Sequence, residues 1–235
     1  MKYRLDQLFK IKGYSRRQYF ALIQASSIRV NTRVVSSMTE QVDLSRDRIF
    51  LNGKRQFLSV KTVVYKFHKP KDVISTMQDP KGRRSVVDFL NTLEESVFPV
   101  GRLDRATSGL LLFTNDGALV EKLLHPRYSC VKKYRLTLSK SLTKNDFLRL
   151  QEGIMLEDGP VFLKQLTYEG KFIDLSISEG RNRVIRRLFS TLGYEVVQLK
   201  RYAFAGIEMG DLKLGSFSKL SLREYQLLIK TCDYK

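Results

Sequence analysis

The sequence predicts an α+β protein in two parts, a small basic unit over residues 1–60 and a larger domain over residues 61–235. Charge distribution sets the first apart: it holds twelve Lys or Arg against four Asp or Glu, a net +8, while the remainder holds thirty against twenty. Beyond residue 62 strand-like and helix-like runs alternate with hairpin-like neighbours, which argues against a doubly wound sheet. Hydrophobic residues make up 43% and aromatics 11%, enough for a packed core, and no internal repeat or low-complexity tract interrupts the chain.

In the front unit, Leu5, Leu8, Phe9 and Ile11 recur at helical spacing and Gly13 ends the segment. Ser15 is placed to cap a second helix whose apolar side would be Tyr19, Phe20, Leu22 and Ile23. Short strands are expected at Ile28–Val30 and Val34–Val35 around an Asn31-Thr32 turn, and at Arg48–Leu51 before the Asn52-Gly53 turn signal. Residues 55–61, with Arg55, Gln56, Ser59 and Lys61, read as a linker.

In the larger domain, strands are expected at Val63–Phe67, Leu110–Phe113, Tyr134–Leu138, Phe172–Ile177 and Val196–Leu199. Helices are expected at Val86–Leu93, at Ala118–Leu124 after Asn115-Asp116-Gly117, and at Val184–Leu192 before Gly193.

Lys and Arg outnumber Asp and Glu by 42 to 24, a formal charge of +18. Such an excess suits a polyanion, because neutralised phosphates release condensed counterions. No strongly amphipathic basic helix points to a membrane surface instead. The charged start Met1-Lys2-Tyr3-Arg4-Leu5-Asp6 lacks the apolar run of a signal peptide, and nothing is long and apolar enough to span a bilayer. Cys130 and Cys232 are far apart and lack metal-ligand spacing, which reads as two reduced thiols in the cytoplasm, although sequence alone leaves a disulfide open. With only His68 and His125 besides, no metal or cofactor is implied.

The most informative stretch is Gly101-Arg102-Leu103-Asp104-Arg105-Ala106-Thr107-Ser108-Gly109, feeding the apolar run Leu110-Leu111-Leu112-Phe113. Arginines on both sides of the Asp104 carboxylate favour its ionised form. Ser108 and Gly109 are small enough to let backbone approach a ligand. These residues alone also allow a surface turn with a satisfied carboxylate.

The stretch closely resembles the signature of pseudouridine synthases, in the ribosomal branch called the RsuA/RluB type. The resemblance covers nearly the whole chain: His68-Lys69-Pro70 and Val73-Ile74-Ser75-Thr76 lead in, followed by Pro99-Val100, the signature, His125-Pro126, Lys133-Tyr134-Arg135-Leu136 and Glu179-Gly180-Arg181-Asn182-Arg183-Val184-Ile185-Arg186-Arg187-Leu188-Phe189. The front resembles the small RNA-binding module named after the fourth small-subunit ribosomal protein, through Arg4-Leu5-Asp6, Ser15-Arg16-Arg17, Ile23, Val30-Asn31, Asp47-Arg48-Ile49 and Asn52-Gly53. Thr32 stands where that module would have glycine; a solvated basic helical face is the alternative there.

The resemblance implies a mixed, mainly antiparallel catalytic domain that isomerises uridine to pseudouridine on a flipped-out base, without cofactor or metal. It makes Asp104 the reacting carboxylate, Tyr134 the tyrosine stacked on the base and placed near the C5 proton, and Arg186 the basic partner of the aspartate. Arg102 would fill the gap left in the RNA when the base leaves the stack. Arg105, Arg181, Arg183 and Arg187 are expected at phosphates or in solvent. Arg4, Ser15, Arg16 and Arg17 would meet phosphates at the second helix, whose N-terminus suits anions. Val184 replaces the family's usual Gln, and His125 is expected to be structural.

The expected partner is ribosomal RNA or a ribosomal subunit precursor, met by a monomer and away from membranes. Asn182-Arg183 looks more like large-subunit than small-subunit enzymes. Two alternatives stand beside this reading: a non-catalytic RNA-binding or ribosome-assembly protein with a synthase-like fold, and the related synthase branch with broader transfer-RNA and ribosomal targets. Presence of Asp104, Tyr134 and Arg186 together favours the enzyme over the first. The Ile185-Arg186-Arg187-Leu188-Phe189 ending favours the ribosomal branch over the second.

Overall fold

The structure is a computed structural model that describes residues 2–44, 46–56 and 62–233. The chain divides into two compact units, residues 1–62 with 94–97, and residues 63–93 with 98–235.

The first unit runs β1 (Lys2–Arg4), α1 (Leu5–Ile11), α2 (Arg16–Gln24), β2 (Ile28–Val30), β3 (Arg33–Val34), β4 (Gln41–Asp43), β5 (Ile49–Leu51) and β6 (Lys54–Gln56). Ser15 caps α2: its Oγ accepts the Gln18 amide at 3.2 Å while Gln18 Oε1 accepts the Ser15 amide at 2.8 Å, a reciprocal box that satisfies two helix-end donors. Asn52 and Gly53 have φ of 48° and 76°, the left-handed pair that a tight hairpin needs, and they join β5 to β6. Arg55 and Gln56 therefore belong to a strand and not to the expected linker, whose Ser59 and Lys61 lie outside the described residues. The turn at Asn31 manages without glycine because its side chain donates to Asp47 and accepts from the Arg48 amide, both at 2.9 Å. Leu5, Leu8, Phe9, Tyr19, Ile23 and Ile28 anchor the core. Phe20, expected on the apolar side of α2, is 49% exposed, since one step along a helix rotates a side chain off the buried face.

The second unit runs β7 (Val64–Lys69), a 3-10 helix (Val86–Thr92), β8 (Phe98–Pro99), β9 (Ser108–Thr114), α3 (Gly117–Leu124), a 3-10 turn (Pro126–Tyr128), β10 (Lys132–Leu138), α4 (Lys144–Glu152), β11 (Ile154–Leu156), β12 (Gly159–Val161), β13 (Gln165–Glu169), β14 (Phe172–Ile177), α5 (Val184–Thr191), β15 (Val196–Phe204), β16 (Ile207–Glu208), β17 (Phe217–Lys219) and α6 (Leu222–Asp233). Its nine-stranded sheet has the path β13-β14-β10-β15-β9-β7-β17, with β16 on β15 and β8 on β9. Among the described residues the sheet's one parallel pair is β9 with β15, so the sheet is mixed and mainly antiparallel. The apolar run Leu110–Phe113 is fully buried, as a strand covered on both faces must be. Leu110, Leu112, Leu119, Leu123, Phe204 and Leu228 form the core on one side.

No helix among the described residues is long and apolar enough to cross a membrane. The Cys130 thiol is buried outside any disulfide; the Cys232 side chain is not among those described.

Candidate active site

The turn carrying Asp104 is fastened on both sides. Before it, the Val100 amide donates to the Leu112 carbonyl at 2.7 Å, and Ser75 Oγ takes the Leu103 amide at 3.1 Å while donating to the Leu103 carbonyl at 3.0 Å. After it, the Thr107 amide closes onto the Asp104 carbonyl at 2.9 Å and the Asp72 amide donates to the Arg105 carbonyl at 2.8 Å. Such fastening gives the carboxylate a rigid seat.

Asp104 is half-buried on the wall of a cleft of about 830 Å³ that it shares with Tyr134, Arg186, Arg102, Arg181 and Arg183. Residues remote in sequence thus meet at one place. Tyr134, 8% exposed, lies on β10 between Leu175 of β14 and Arg201 of β15. Register shifts at that point: Lys133 faces Ala203 but Tyr134 faces Arg201. The resulting bulge at Tyr202 is a device that re-aims neighbouring side chains.

Gly109 serves a different purpose from the one expected. A Cβ there would meet the Arg201 carbonyl oxygen at 2.1 Å, and φ is +109°. The glycine admits the backbone of the parallel strand β15, not a ligand.

Arg186 also departs from expectation, because no hydrogen bond or ion pair joins it to Asp104. Its Nη1 donates to the Val196 carbonyl at 2.7 Å and its Nη2 to the Ala106 carbonyl at 3.2 Å. Nε is buried without a partner among the described residues. Burial and the Arg183 charge pull its pKa down, and the Asp104 and Glu195 charges oppose them. Arg186 therefore holds the Asp104 turn by its backbone, and the Asp104 charge favours the charged guanidinium.

The other arginines divide by what engages them. Arg181 is a strut: it binds Glu179, the Asp158 side chain at 2.8 Å and the carbonyls of Asp158, Gly159 and Pro160. Arg187 donates to Asp158 at 2.7 Å and to the Asn182 carbonyl at 2.9 Å. Its hydrogen bond to Asp158 and the charges of both arginines hold that carboxyl below its ordinary range. Both arginines are thus occupied within the protein. Arg105 makes an exposed pair with Asp72 at 3.2 Å and does not line the cleft. Arg102 and Arg183 are exposed, with Arg183 at the N-cap of α5 in the left-handed conformation, φ 48°.

In the first unit Arg4 pairs with Asp6 at 2.8 Å, and Arg16 and Arg17 are exposed beside the Ser15 cap. His125 Nδ1 accepts the Arg127 amide at 3.2 Å and caps the short turn at Pro126. Among the described residues no group of three or more His, Cys, Asp or Glu could hold a metal ion.

The sequence reading missed three buried cations. Lys69, fully buried, donates to the carbonyls of Pro70 at 2.8 Å and Val73 at 2.6 Å. Lys132 donates to those of Cys130 and Ser178, both at 3.2 Å. Arg201, 4% exposed, donates from Nε to the Leu110 carbonyl at 2.8 Å. One signal could have found the last two: with period two, Lys132 shares the face of Tyr134 on β10, and Arg201 that of Leu199 on β15.

Burial brings both lysines from 10.5 down to about 8; Asp72 and Asp104 oppose this at Lys69, and Arg201 adds to it at Lys132. Between about 8 and 10.5 the unfolded chain keeps protons that the folded protein has lost, so unfolding takes up protons and stability rises with pH. Urea midpoints of the second unit's transition should climb through that window, and Lys132→Met should flatten the climb. A profile that falls from pH 8 upward would contradict the burial of charge. Tyr19 in the first unit behaves oppositely: burial raises it from 10 to about 12, so its contribution is lost as pH rises past 10.

Comparison with known proteins agrees with this geometry. The family described as RNA pseudouridylate synthase matches residues 63–191. Ribosomal large subunit pseudouridine synthase B of Bacillus subtilis (strain 168) is 39% identical, over 94% of this chain and 92% of that protein. An uncharacterized RNA pseudouridine synthase of Aquifex aeolicus (strain VF5) is 33% identical over 100% of this chain and 97% of its own length. A crystal structure of a pseudouridylate synthase superposes with a TM-score of 0.67 at 27% identity, covering 96% of this chain and 99% of that one. With the match spanning the Asp104 turn, Tyr134 and Arg186 alike, the chain belongs to the RNA pseudouridylate synthase family.

Proposed function

We propose that this enzyme converts uridine to pseudouridine in large-subunit ribosomal RNA, acting as a cytoplasmic monomer with Asp104 as the reacting carboxylate. The observation that carries the reading is the meeting of Asp104, Tyr134 and Arg186 on one cleft wall. The name of the Bacillus subtilis relative, a ribosomal large subunit pseudouridine synthase, and the Asn182-Arg183 pair at the cleft support the choice of subunit.

In this reading the uridine leaves the RNA stack and enters the cleft, because its reacting edge is covered while stacked. Tyr134 stacks on the base. Asp104 either attacks C1′ or takes the 2′ proton as the N1–C1′ bond breaks. Arg186 is a positioning residue that fixes the turn through Ala106. Arg102 occupies the vacated place in the RNA, and Arg183 meets phosphate. The front unit is an RNA-binding module of the type described above; it supplies affinity through Arg16 and Arg17, with exposed Phe20 beside them on α2, and performs no chemistry.

Purified protein incubated with separate transcripts of the two ribosomal RNAs tests this directly. Pseudouridine should form in the large-subunit transcript, and formation in the small-subunit transcript alone would overturn the choice. In the same assay Arg16→Glu with Arg17→Glu should weaken binding and lower the salt slope by about one unit per lost phosphate contact. Conversion at saturating enzyme should persist.

A further inference from the structure

Lys132 and Arg201 stand out because they are cations in a place that should not hold them. They are 8% and 4% exposed, line the same cleft as Asp104, and form no ion pair among the described residues. Lys132 Nζ lies 5.5 Å and Arg201 Cζ 4.9 Å from the centre of the Phe204 ring, so both gather at one aromatic ring. Arg201 Nη2 is buried without a hydrogen-bond partner among the described residues. The two charges repel each other, part of what brings Lys132 down to about 8. Leaving buried charges unpaired is costly, and such frustration is retained where function requires it. Glu179, the nearby carboxylate that favours charged Lys132, is engaged by Arg181. An anionic ligand would relieve both cations.

Arg201 faces Tyr134 across the β10–β15 ladder, so the cations underlie the position given to the base. When the N1–C1′ bond breaks, its electron pair leaves with N1 and the uracil ring becomes an anion. The deficiency at C1′ is met by an Asp104 oxygen or by loss of the 2′ proton to it. C5 then attacks C1′, displacing the Asp104 oxygen or, on the second route, with the proton returning from Asp104 to C2′. C5 loses its proton, N1 takes one up, and no external reagent is consumed. Negative charge thus exists on the ring only between the two bonds, when a fixed cation stabilises the transition state more than the substrate. We propose that Lys132 and Arg201 form a cationic floor that carries the charge of the uracil ring while it is detached from its ribose. A phosphate fits less well, since the RNA backbone keeps its charge at the solvated rim while these groups are almost wholly enclosed. The inference rests on the reading of the Asp104 cleft as the reaction site.

The test compares single-turnover conversion of one ribosomal RNA fragment carrying uridine or 5-fluorouridine at the target, read as loss of the parent nucleoside from nuclease digests. Fluorine at C5 withdraws electrons and stabilises the detached anion within the substrate, so less help from the protein is needed. Arg201→Met and Lys132→Gln should each slow uridine on the order of a hundredfold. The fluorinated substrate should suffer about tenfold less, raising the ratio of the two rates by that factor. Arg201→Lys keeps the charge and should restore part of the uridine rate. Misfolding lowers both rates by one factor and leaves their ratio unmoved, so the ratio reads the chemistry alone. An unchanged ratio in every variant overturns the proposal. So does a loss confined to RNA affinity and its salt dependence, which would mark a phosphate contact. If wild type converts neither substrate, or Asp104→Asn converts both at the wild-type rate, the reading of the cleft itself falls and the proposal with it.

Discussion

Gly109→Ala should lower the melting temperature of the catalytic unit by on the order of 10 °C, through a methyl group with nowhere to go. The new Cβ would sit 2.1 Å from the Arg201 carbonyl oxygen and 2.7 Å from its amide nitrogen. Those atoms are backbone in the parallel β9–β15 pair and cannot rotate aside. Overpacking costs about 1–3 kcal/mol, and a non-glycine residue at such a φ costs a further 1–3 or so. Gly210→Ala in the same unit is the control: its φ of +59° carries strain, but nothing lies within 4 Å. The difference between the two substitutions isolates the close approach of the strands. Because displacing β15 also moves Arg201, the Gly109 variant should lose activity below its melting temperature, whereas the Gly210 variant should keep it. Equal melting temperatures would mean that the two strands are not seated as described.

Legibility of the fold followed how strongly each segment marks itself. Phe172–Ile177 alternates clearly and is a strand over those same residues. Asn52-Gly53 needs two left-handed residues and supplies them. By contrast, α4 buries only Leu150, and β13 is a short edge strand with no fully buried side chain, so burial marks neither strongly. Val86–Thr92 is a 3-10 helix, shorter than the expected Val86–Leu93 helix, because Ser85 and Asp88 close a capping box within one turn and Leu93 is already extended.

The candidate site divides in the same manner. Motif resemblance located Asp104, Tyr134 and Arg186, which the fold brings to one cleft. What Arg186 grips was not legible, since the choice of Ala106 and Val196 carbonyls over the Asp104 carboxylate depends on how α5 packs against β15. Lys132 and Arg201 were passed over because cations are read as solvated unless strand parity is followed across each one.

Asp104→Asn should abolish pseudouridine formation while leaving RNA binding intact. The amide is nearly isosteric, and Ser75, Thr107 and Arg186 hold the turn by its backbone, so the seat survives the change. Loss of one negative charge from a cleft facing a polyanion should keep binding equal or tighten it slightly. A neutral amide is too weak to attack C1′ or to take the 2′ proton, and losing such a group costs on the order of 10²–10⁴ or more in rate. The decisive measurement incubates wild type and Asp104→Asn with the large-subunit transcript and follows both RNA retention and pseudouridine content, with circular dichroism to certify the fold. Retained RNA without pseudouridine is the expected result; a mutant that forms pseudouridine at a rate comparable to wild type would contradict the account at its centre.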